Sequence, residues 1–403
     1  MKKFLFVAFA AILLAASCQK TEIINPVGEP SMSFSTGMSK LTKVADAENP
    51  GDVNLQQQNF RVWAYCAYED ENTTATELNS IYDRINNLAV TYTAAGEGTN
   101  ASWGTQKEYF WPGVEKELRF FAVSGDAETV GDENSTDKVV IPSDGTNSLQ
   151  IKDFVVDENN PNEDLMVADF VQQHQGDKVV DLNFRHTLSK VQFVFKTINT
   201  GEATIYVQDL VVKGLETKGT LNVSPKVNDE NENPGTETFA EGEEETPAYV
   251  GTVTPVAFNW TLPEPASSTT LKDFEDDWTT KVVTVSGQDG YDDKFPAKID
   301  GVDAAEEDKV AMKVTALGTA DDPAQIFATW LMLPQSIAGK KVEITYLINQ
   351  RKFTSIFPLE TTTLKAWAEN QYVRYTITLA PNLISFNPSV EDWDPVTDVN
   401  HQN

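Results

Sequence analysis

The chain has 403 residues, of which 40% are hydrophobic and 10% aromatic. This length exceeds one ordinary β-sandwich core and suits two domains of about 150 to 200 residues each. Its 61 acidic residues against 31 lysines and arginines give a net charge of −30, which argues against binding to nucleic acid or to a membrane through a basic patch.

Residues 1–17 are typical of a bacterial lipoprotein signal peptide. Lys2 and Lys3 form a positive start, residues 4–14 are apolar, and small residues lead to Cys18. The apolar run is too short to span a bilayer, so it predicts a segment that is removed on export. We predict that Cys18 then carries acyl chains such as palmitate, with about 0.8 kcal/mol of anchoring for each buried methylene. Plain secretion is the alternative.

Residues 18–30 are polar, contain Pro26 and Gly28, and predict a tether between the lipid and the fold. Residues 31–36 alternate Met32 and Phe34 with serines, which is the period of a half-buried strand. A loop rich in turn-forming residues follows. A first strand within residues 31–43, tied on by such a loop, can be kept or removed as a unit.

Further strands are predicted from alternating apolar residues at 60–68, 88–93, 107–112, 117–123, 149–156 and 164–168. Leu78, Ile81, Tyr82 and Ile85 fall at helical spacing and predict one short amphipathic helix. The stretch 179–195 predicts two core strands around a bend. We place the boundary between the two predicted domains at this bend, with residues 31–186 on one side and 187–403 on the other.

The second half continues with short strands and turn signals. Strands are predicted at 203–212, 220–223, 256–262, 281–285, 326–333, 341–347, 352–357, 372–379, 383–386 and 390–393. The pair 341–347 and 352–357 reads as a hairpin, and 228–246 reads as an acidic insertion. Short strands at regular intervals favour an all-β fold of sandwiches over α/β layers.

The sequence offers little catalytic or metal chemistry. Its three histidines are predicted to lie in a core strand (His186), in a glutamine-rich loop (His174) and in the polar tail (His401). No zinc spacing, nucleophile elbow, phosphate loop or dinucleotide fingerprint is present. Acidic clusters at 157–164 and 289–293 lack the spacing that wraps a calcium ion. We therefore predict no enzyme activity, no metal and no cofactor.

Two other residue types are predicted to be structural. Cys66 lies in an apolar strand and has no cysteine partner in the mature chain, which favours a buried thiol. Five tryptophans in strand contexts are expected in the core rather than on a sugar-binding surface: Trp63, Trp111, Trp330, Trp367 and Trp393.

Several motifs occur in the order seen in one family. They lie at 60–65, 109–112, 118–122, 164–168, 182–191, 367–379 and 384–393. Together with the lipoprotein signal, this order resembles the Bacteroides-type fimbrillins across nearly the whole chain. One departure is Glu369-Asn370, where members of that family usually have glycine.

The resemblance implies two tandem transthyretin-like (Greek-key) β-sandwich domains and a structural, adhesive subunit of type V fimbriae. Such a subunit is exported as a lipoprotein to the cell outer membrane and polymerises with copies of itself or with other fimbrial subunits. In polymerising members a surface protease removes the first strand, and an extended segment of another subunit fills the groove. Met32 and Phe34 would be released; Ile384, Phe386 and Val390 alternate as a donor strand would. Permanent strands of their own domains are the alternative for both sets.

The processing site is predicted from the same resemblance. No arginine lies between Cys18 and Arg61, and the position expected for Thr-Arg reads Thr42-Lys43. We therefore predict cleavage after Lys43 by a lysine-tolerant protease. Without cleavage, the chain keeps its lipid and first strand, as an anchor subunit would.

The main alternative function is a monomeric cell-surface lipoprotein that binds glycans or other host or nutrient ligands. A receptor on host or bacterial surfaces is compatible with either function. Filaments containing the chain favour the fimbrial subunit, whereas glycan binding through an exposed tryptophan favours the alternative.

Overall fold

The computed structural model describes 31–36, 59–66, 80–81, 85–96, 100–111, 117–125, 139–140, 148–156, 164–174, 179–197, 203–226, 237–239, 251–263, 295–305, 311–314, 326–381 and 383–392. Within these ranges the protein has 28 strands, numbered in chain order, and no helix. The predicted all-β fold is confirmed. The division into two tandem domains at residue 186 stays a prediction.

The first half of the chain supplies eight strands of a ten-stranded sheet, and residues 237–254 supply the other two. Its strands are β2 (Phe60–Cys66), β3 (Ser80–Ile81), β4 (Leu88–Thr93), β5 (Ser102–Thr105), β6 (Glu117–Ser124), β9 (Met166–Ala168), β10 (Phe170–His174), β12 (Phe184–His186), β16 (Glu237–Phe239) and β17 (Gly251–Thr254). The main order is β16-β17-β10-β6-β2-β4-β5, with β3 on β2, and β9 between β6 and β12. A separate parallel pair joins β1 (Phe34–Thr36) to β11 (Val180–Leu182).

Two local predictions are wrong in this sheet. The predicted helix is replaced by β3, because Ser80 and Ile81 pair with Cys66 and Tyr65. Ile85 extends this contact, since its carbonyl accepts a hydrogen bond from the Ala64 amide at 2.9 Å. Pairing with β2 therefore outweighs the helical spacing of the sequence. His174 ends β10 rather than lying in a loop.

Strands β2 and β6 are covered on both faces, which accounts for their nearly unbroken apolar sequences. Val62 and Phe120 point into a core cluster with β1, β4 and β11. Trp63 and Phe121 point into a larger cluster that extends through the second half of the chain. The sheet therefore separates two apolar cores.

The second half contains two four-stranded sheets. One has the order β22-β13-β27-β28, and the other β21-β14-β24-β25. Their strands are β13 (Ser189–Thr197), β14 (Ile205–Lys213), β21 (Met312–Lys313), β22 (Ile326–Met332), β24 (Lys341–Ile348), β25 (Arg351–Pro358), β27 (Gln371–Ala380) and β28 (Leu383–Asp392). Both sheets contribute to the larger core cluster. Strands β24 and β25 form the predicted hairpin.

A third four-stranded sheet joins the two halves of the chain. It combines β7 (Val139–Val140) and β8 (Leu149–Val155) with β15 (Lys218–Pro225) and β18 (Val256–Thr261). Two small pairs complete the fold: β19 (Lys298–Ile299) with β20 (Val302–Asp303), and β23 (Gln335–Ser336) with β26 (Ala366–Trp367).

A buried carboxylate fixes the junction between β17 and β18. The Asp169 carboxylate accepts from Arg185 Nη2 at 2.6 Å, from Asn183 Nδ2 at 2.9 Å and from the Val256 amide at 3.0 Å. Arg185 also donates to the Val256 carbonyl and lies 5.3 Å from the centre of the Phe258 ring. These contacts hold β18 in one sheet while β17, which ends two residues before Val256, pairs in another.

Candidate functional site

The first strand, β1, lies between β11 and the segment around Tyr109. On one side the Val180 amide donates to the Ser33 carbonyl at 2.9 Å, and on the other the Met32 amide donates to the Tyr109 carbonyl at 2.6 Å. The ladder with β11 covers only three residue pairs. Few backbone bonds therefore hold β1 compared with the central strands.

The inward side chains of β1 are deeply buried even though its ladder is short. Met32 is 6% exposed and Phe34 is 5% exposed. The Phe34 ring meets Phe120 edge-on, with 6.0 Å between ring centres. Removing β1 would leave an apolar groove at this place, and Phe120 would lie on its floor.

Two polar contacts flank the apolar ones. Trp103 Nε1 donates to Thr36 Oγ1 at 2.9 Å, and Ser35 Oγ donates to Asp181 Oδ1 at 2.8 Å. The sequence carried no signal for these contacts, because each joins residues more than sixty positions apart. Beside its two apolar pockets, the groove therefore offers one hydrogen-bond donor, Trp103 Nε1, and one acceptor, the Asp181 carboxylate.

The predicted donor residues lie on the last described strand, β28. Among the described strands β28 is an edge, paired with β27 over ten residues. Ile384, Phe386, Pro388 and Val390 lie opposite Leu379, Ile377, Tyr375 and Val373, which are all buried. One face of β28 is therefore apolar and directed at the core, and the other carries Ser385, Asn387 and Ser389.

This apolar face of β28 is only partly covered. Phe386 stacks on Phe357 of β25 at 5.3 Å and on Tyr375 of β27 at 5.0 Å, yet it remains half-buried. Val390 is 43% exposed. The predicted donor strand thus belongs to the larger core cluster, whereas Met32 and Phe34 belong to the smaller one, and the structure does not bring the two sets together.

The remaining predicted residues lie elsewhere or outside the described ranges. Cys18 and Lys43 lie outside them, so their predicted lipidation and cleavage stay predictions. His186 is buried and its Nδ1 contacts the Asp164 carboxylate, a structural role. Cys66 lies in β2 as predicted.

The described tryptophans do not present an exposed ring. Trp63, Trp111, Trp330 and Trp367 are buried, as the sequence predicts, while Trp103 and Trp260 are half-buried. Trp393 lies outside the described ranges. In those ranges no group of three or more His, Cys, Asp and Glu could hold a metal ion. A search of the same residues finds no helix long and apolar enough to cross a membrane.

A protein-family model described as fimbrillin-like matches residues 42–393, most of the chain. The chain belongs to the fimbrillin-like family. The resemblance found in the sequence motifs is therefore confirmed. The matched region includes β28 and begins after β1. No curated protein matches the sequence.

Three solved structures are similar to this fimbrillin-like chain. A fimbrial protein from Bacteroides vulgatus has 16% identity and a TM-score of 0.47, with 90% of this chain and 99% of that chain covered. A fimbrial assembly protein from Parabacteroides distasonis has 10% identity, coverage of 90% and 100%, and a TM-score of 0.33. The C-terminally truncated tip fimbrial protein Mfa3 from Porphyromonas gingivalis has 10% identity, coverage of 84% and 96%, and a TM-score of 0.30.

Proposed function

We propose that this fimbrillin-like chain is a structural and adhesive subunit of type V fimbriae. In this proposal it is exported to the cell outer membrane as a lipoprotein acylated at Cys18, and it is assembled by donor-strand exchange with other fimbrial subunits. The observation that carries the proposal is β1, a strand with a three-pair ladder whose buried Met32 and Phe34 fill one end of a core.

The burial of Met32 and Phe34 makes replacement of β1 by another strand more favourable than its removal alone. Burying a large apolar side chain stabilises a fold by about 1.5 to 3 kcal/mol, so an empty groove at Met32 and Phe34 would be unfavourable. An incoming strand that fills both pockets and restores the backbone bonds recovers most of this free energy. The chain therefore gains by binding a replacement for β1.

The proposed donor is β28, with Ile384, Phe386 and Val390 entering the groove of a neighbouring subunit. An edge strand can leave its sheet by breaking one ladder, whereas a central strand must break two. The apolar face of β28 is also incompletely buried in its own domain, so its residues have burial to gain elsewhere.

Cleavage after Lys43 is the proposed trigger, since it would leave residues 31–36 attached to the rest of the chain only through non-covalent contacts. The experiment is N-terminal sequencing of subunits in filaments sheared from cells that express the natural chain. We expect the sequence to begin at Val44. Lys43→Gln should block this processing, whereas Lys40→Gln, three residues earlier in the sequence, should not.

An intact acylated Cys18 in every polymerised subunit would contradict the processing step. The same sheared preparation tests the function itself: electron microscopy with antibody to this chain should label filaments along the cell surface. Label confined to the membrane, together with glycan binding by the monomer, would instead support the glycan-binding lipoprotein.

A further inference from the structure

Strand β25 has one edge that no other described strand covers. It pairs with β24 over eight residues and forms the end of its sheet. The backbone groups along such an edge are a template for a further strand, which can come from another chain. This edge is therefore a candidate docking surface, and its residues indicate which partner it fits.

The turn between β24 and β25 shows which backbone groups of β25 point outward. The turn consists of residues 349–350, and the pair that closes it is Ile348 with Arg351. The closing pair of a two-residue hairpin exchanges backbone hydrogen bonds, and bonded pairs then alternate with non-bonded pairs along the ladder. The backbone groups of Thr354 and Ile356 therefore point away from β24.

Two features at the end of β25 agree with this alternation. The amide of Leu359 donates to the Lys340 carbonyl at 3.0 Å, as its odd-numbered position requires. Pro358, which has no N–H group, falls at an outward position, where no bond to β24 is lost. The outward backbone groups are thus a regular row that a further strand can continue.

Apolar side chains lie on both faces of this edge. Phe353 is 39% exposed and lies on the core side, where its ring stacks on Tyr346 with 5.6 Å between ring centres. Ile356 is 58% exposed and lies on the opposite face, beside Glu343 of β24. A strand added at this edge would cover part of both side chains and gain hydrophobic free energy.

The surroundings of β25 are basic in an otherwise acidic chain. Residues 326–381 contain six lysines and arginines and three acidic residues, a net charge of +3, whereas the whole chain carries −30. Arg351 and Lys352 belong to this set and are exposed. Opposite charges on facing strands stabilise a pair. The edge therefore favours an acidic strand over a second β25.

The chain itself contains such a strand in β16. This strand lies at one end of the ten-stranded sheet, where it pairs with β17 and has no second neighbour among the described strands. The surrounding sequence, residues 228–246, contains eight acidic residues and no basic one. Strands β16 and β25 are thus edges of opposite charge in two different sheets.

We propose that β25 of one copy of this chain pairs with β16 of a second copy, which makes the two sheets continuous across the contact. Because the two surfaces differ, each copy still presents one edge to a third copy, and the contact can extend. It is separate from the exchange proposed above, since β1 keeps its place. Between filaments, the same contact would join neighbours side by side.

Sedimentation of the uncleaved chain from Gln19 onward tests this contact, because neither the lipid nor the release of β1 is then involved. The measurement is made under reducing conditions at 0.15 M ionic strength, where repulsion is screened beyond about 8 Å. We expect an average mass that rises with concentration. Thr354→Pro should abolish this rise, since proline removes an outward N–H and leaves the bonds between β24 and β25 in place.

Charge reversal identifies the partner strand. Arg351→Glu with Lys352→Glu in one variant, and Glu237→Lys in another, should each weaken self-association by about five-fold. A mixture of the two variants should recover the affinity of the natural chain, because contacts between unlike copies then join opposite charges. Lys365→Glu is the matched control: it reverses an exposed lysine of the same basic segment outside β25 and should leave association unchanged.

A natural chain that stays monomeric at millimolar concentration overturns the proposal. A Thr354→Pro variant that associates like the natural chain overturns β25 as the docking edge. A mixture that associates no more tightly than its two components overturns β16 as the partner strand. If the uncleaved chain is monomeric and still polymerises after cleavage, the exchange proposed above stands without this contact.

Discussion

At the residue scale, the Asp169 carboxylate joins the side chains of Asn183 and Arg185 to the first residue of β18, Val256. It is buried and accepts three hydrogen bonds, from a guanidinium, a side-chain amide and a backbone amide. A buried acceptor with several donors is costly to replace, because each donor that loses its partner stays desolvated. Its removal should affect stability far more than the loss of a surface charge.

We expect Asp169→Asn to lower the free energy of unfolding by about 2 kcal/mol, because the amide turns an N–H₂ group towards one of the donors and removes the charge opposite Arg185. Urea denaturation measures this change. Asp153→Asn is the matched control: its ion pair with Lys218 is solvent-exposed at both ends, and surface pairs contribute little. Equal midpoints for Asp169→Asn and the natural chain would show that the junction does not depend on this carboxylate.

Tyr375 provides a pH-dependent test of the core of the second half. Burial raises the pKa of the Tyr375 phenol above its ordinary value, and the hydrogen bond donated by Trp367 Nε1 at 3.0 Å offsets this only in part. Below pH of about 10 the phenol is neutral in both the folded and the unfolded chain. At higher pH the unfolded chain ionises first, so this group makes the free energy of unfolding fall by about 1.4 kcal/mol per pH unit.

Tyr375→Phe should therefore reduce the alkaline slope of the unfolding free energy by about one proton. It should also lower stability by about 1 to 3 kcal/mol at neutral pH, since Trp367 Nε1 loses its acceptor. Denaturant titrations at a series of pH values measure both effects. An unchanged slope above pH of about 10 would contradict the buried, neutral phenol.

At the element scale, the sequence predicts a strand well when alternation within one segment determines it. It predicts a strand poorly when pairing with another segment determines it. Strand β27 and the hairpin of β24 and β25 follow their alternation, and the structure confirms them. The helical spacing of Leu78, Ile81, Tyr82 and Ile85 predicts a helix, but pairing with β2 places Ser80 and Ile81 in a strand. The joining of β8 to β15, about seventy residues apart in the chain, leaves no trace in either segment.

The candidate site shows the same difference between features of one segment and contacts between distant segments. The alternation of Met32 and Phe34, and of Ile384 and Phe386, is visible in the sequence because each depends on one short segment. The contacts of Trp103 with Thr36 and of Ser35 with Asp181 depend on how distant segments fold together, so only the structure reveals them.

The edge position of β28 predicts that it opens more easily than the strands beside it. We expect the amides of β28 that bond to β27 to exchange with deuterium faster than those of β13, a central strand of the same sheet, because leaving the edge breaks one ladder rather than two. Native-state hydrogen exchange of the uncleaved chain measures this difference. Equal protection of β28 and β13 would mean that β28 opens only with global unfolding and could not act as a donor.

At the scale of the whole molecule, the net charge of −30 sets the conditions for assembly. Copies of so acidic a chain repel one another, and salt shortens the range of this repulsion from about 30 Å at 0.01 M to about 8 Å at 0.15 M ionic strength. The cleaved chain should therefore polymerise faster as salt is added. Light scattering at several ionic strengths measures the rate, and a rate that falls with salt would indicate an attraction between charged patches instead.

The most direct test of the account is a cryo-electron microscopy map of filaments formed by this chain. The account predicts that the groove between β11 and Tyr109 holds residues 383–392 of the neighbouring subunit, with Phe386 against Phe120, and that residues 31–36 are gone. A map in which every subunit keeps its own Met32 and Phe34 in that groove would contradict it.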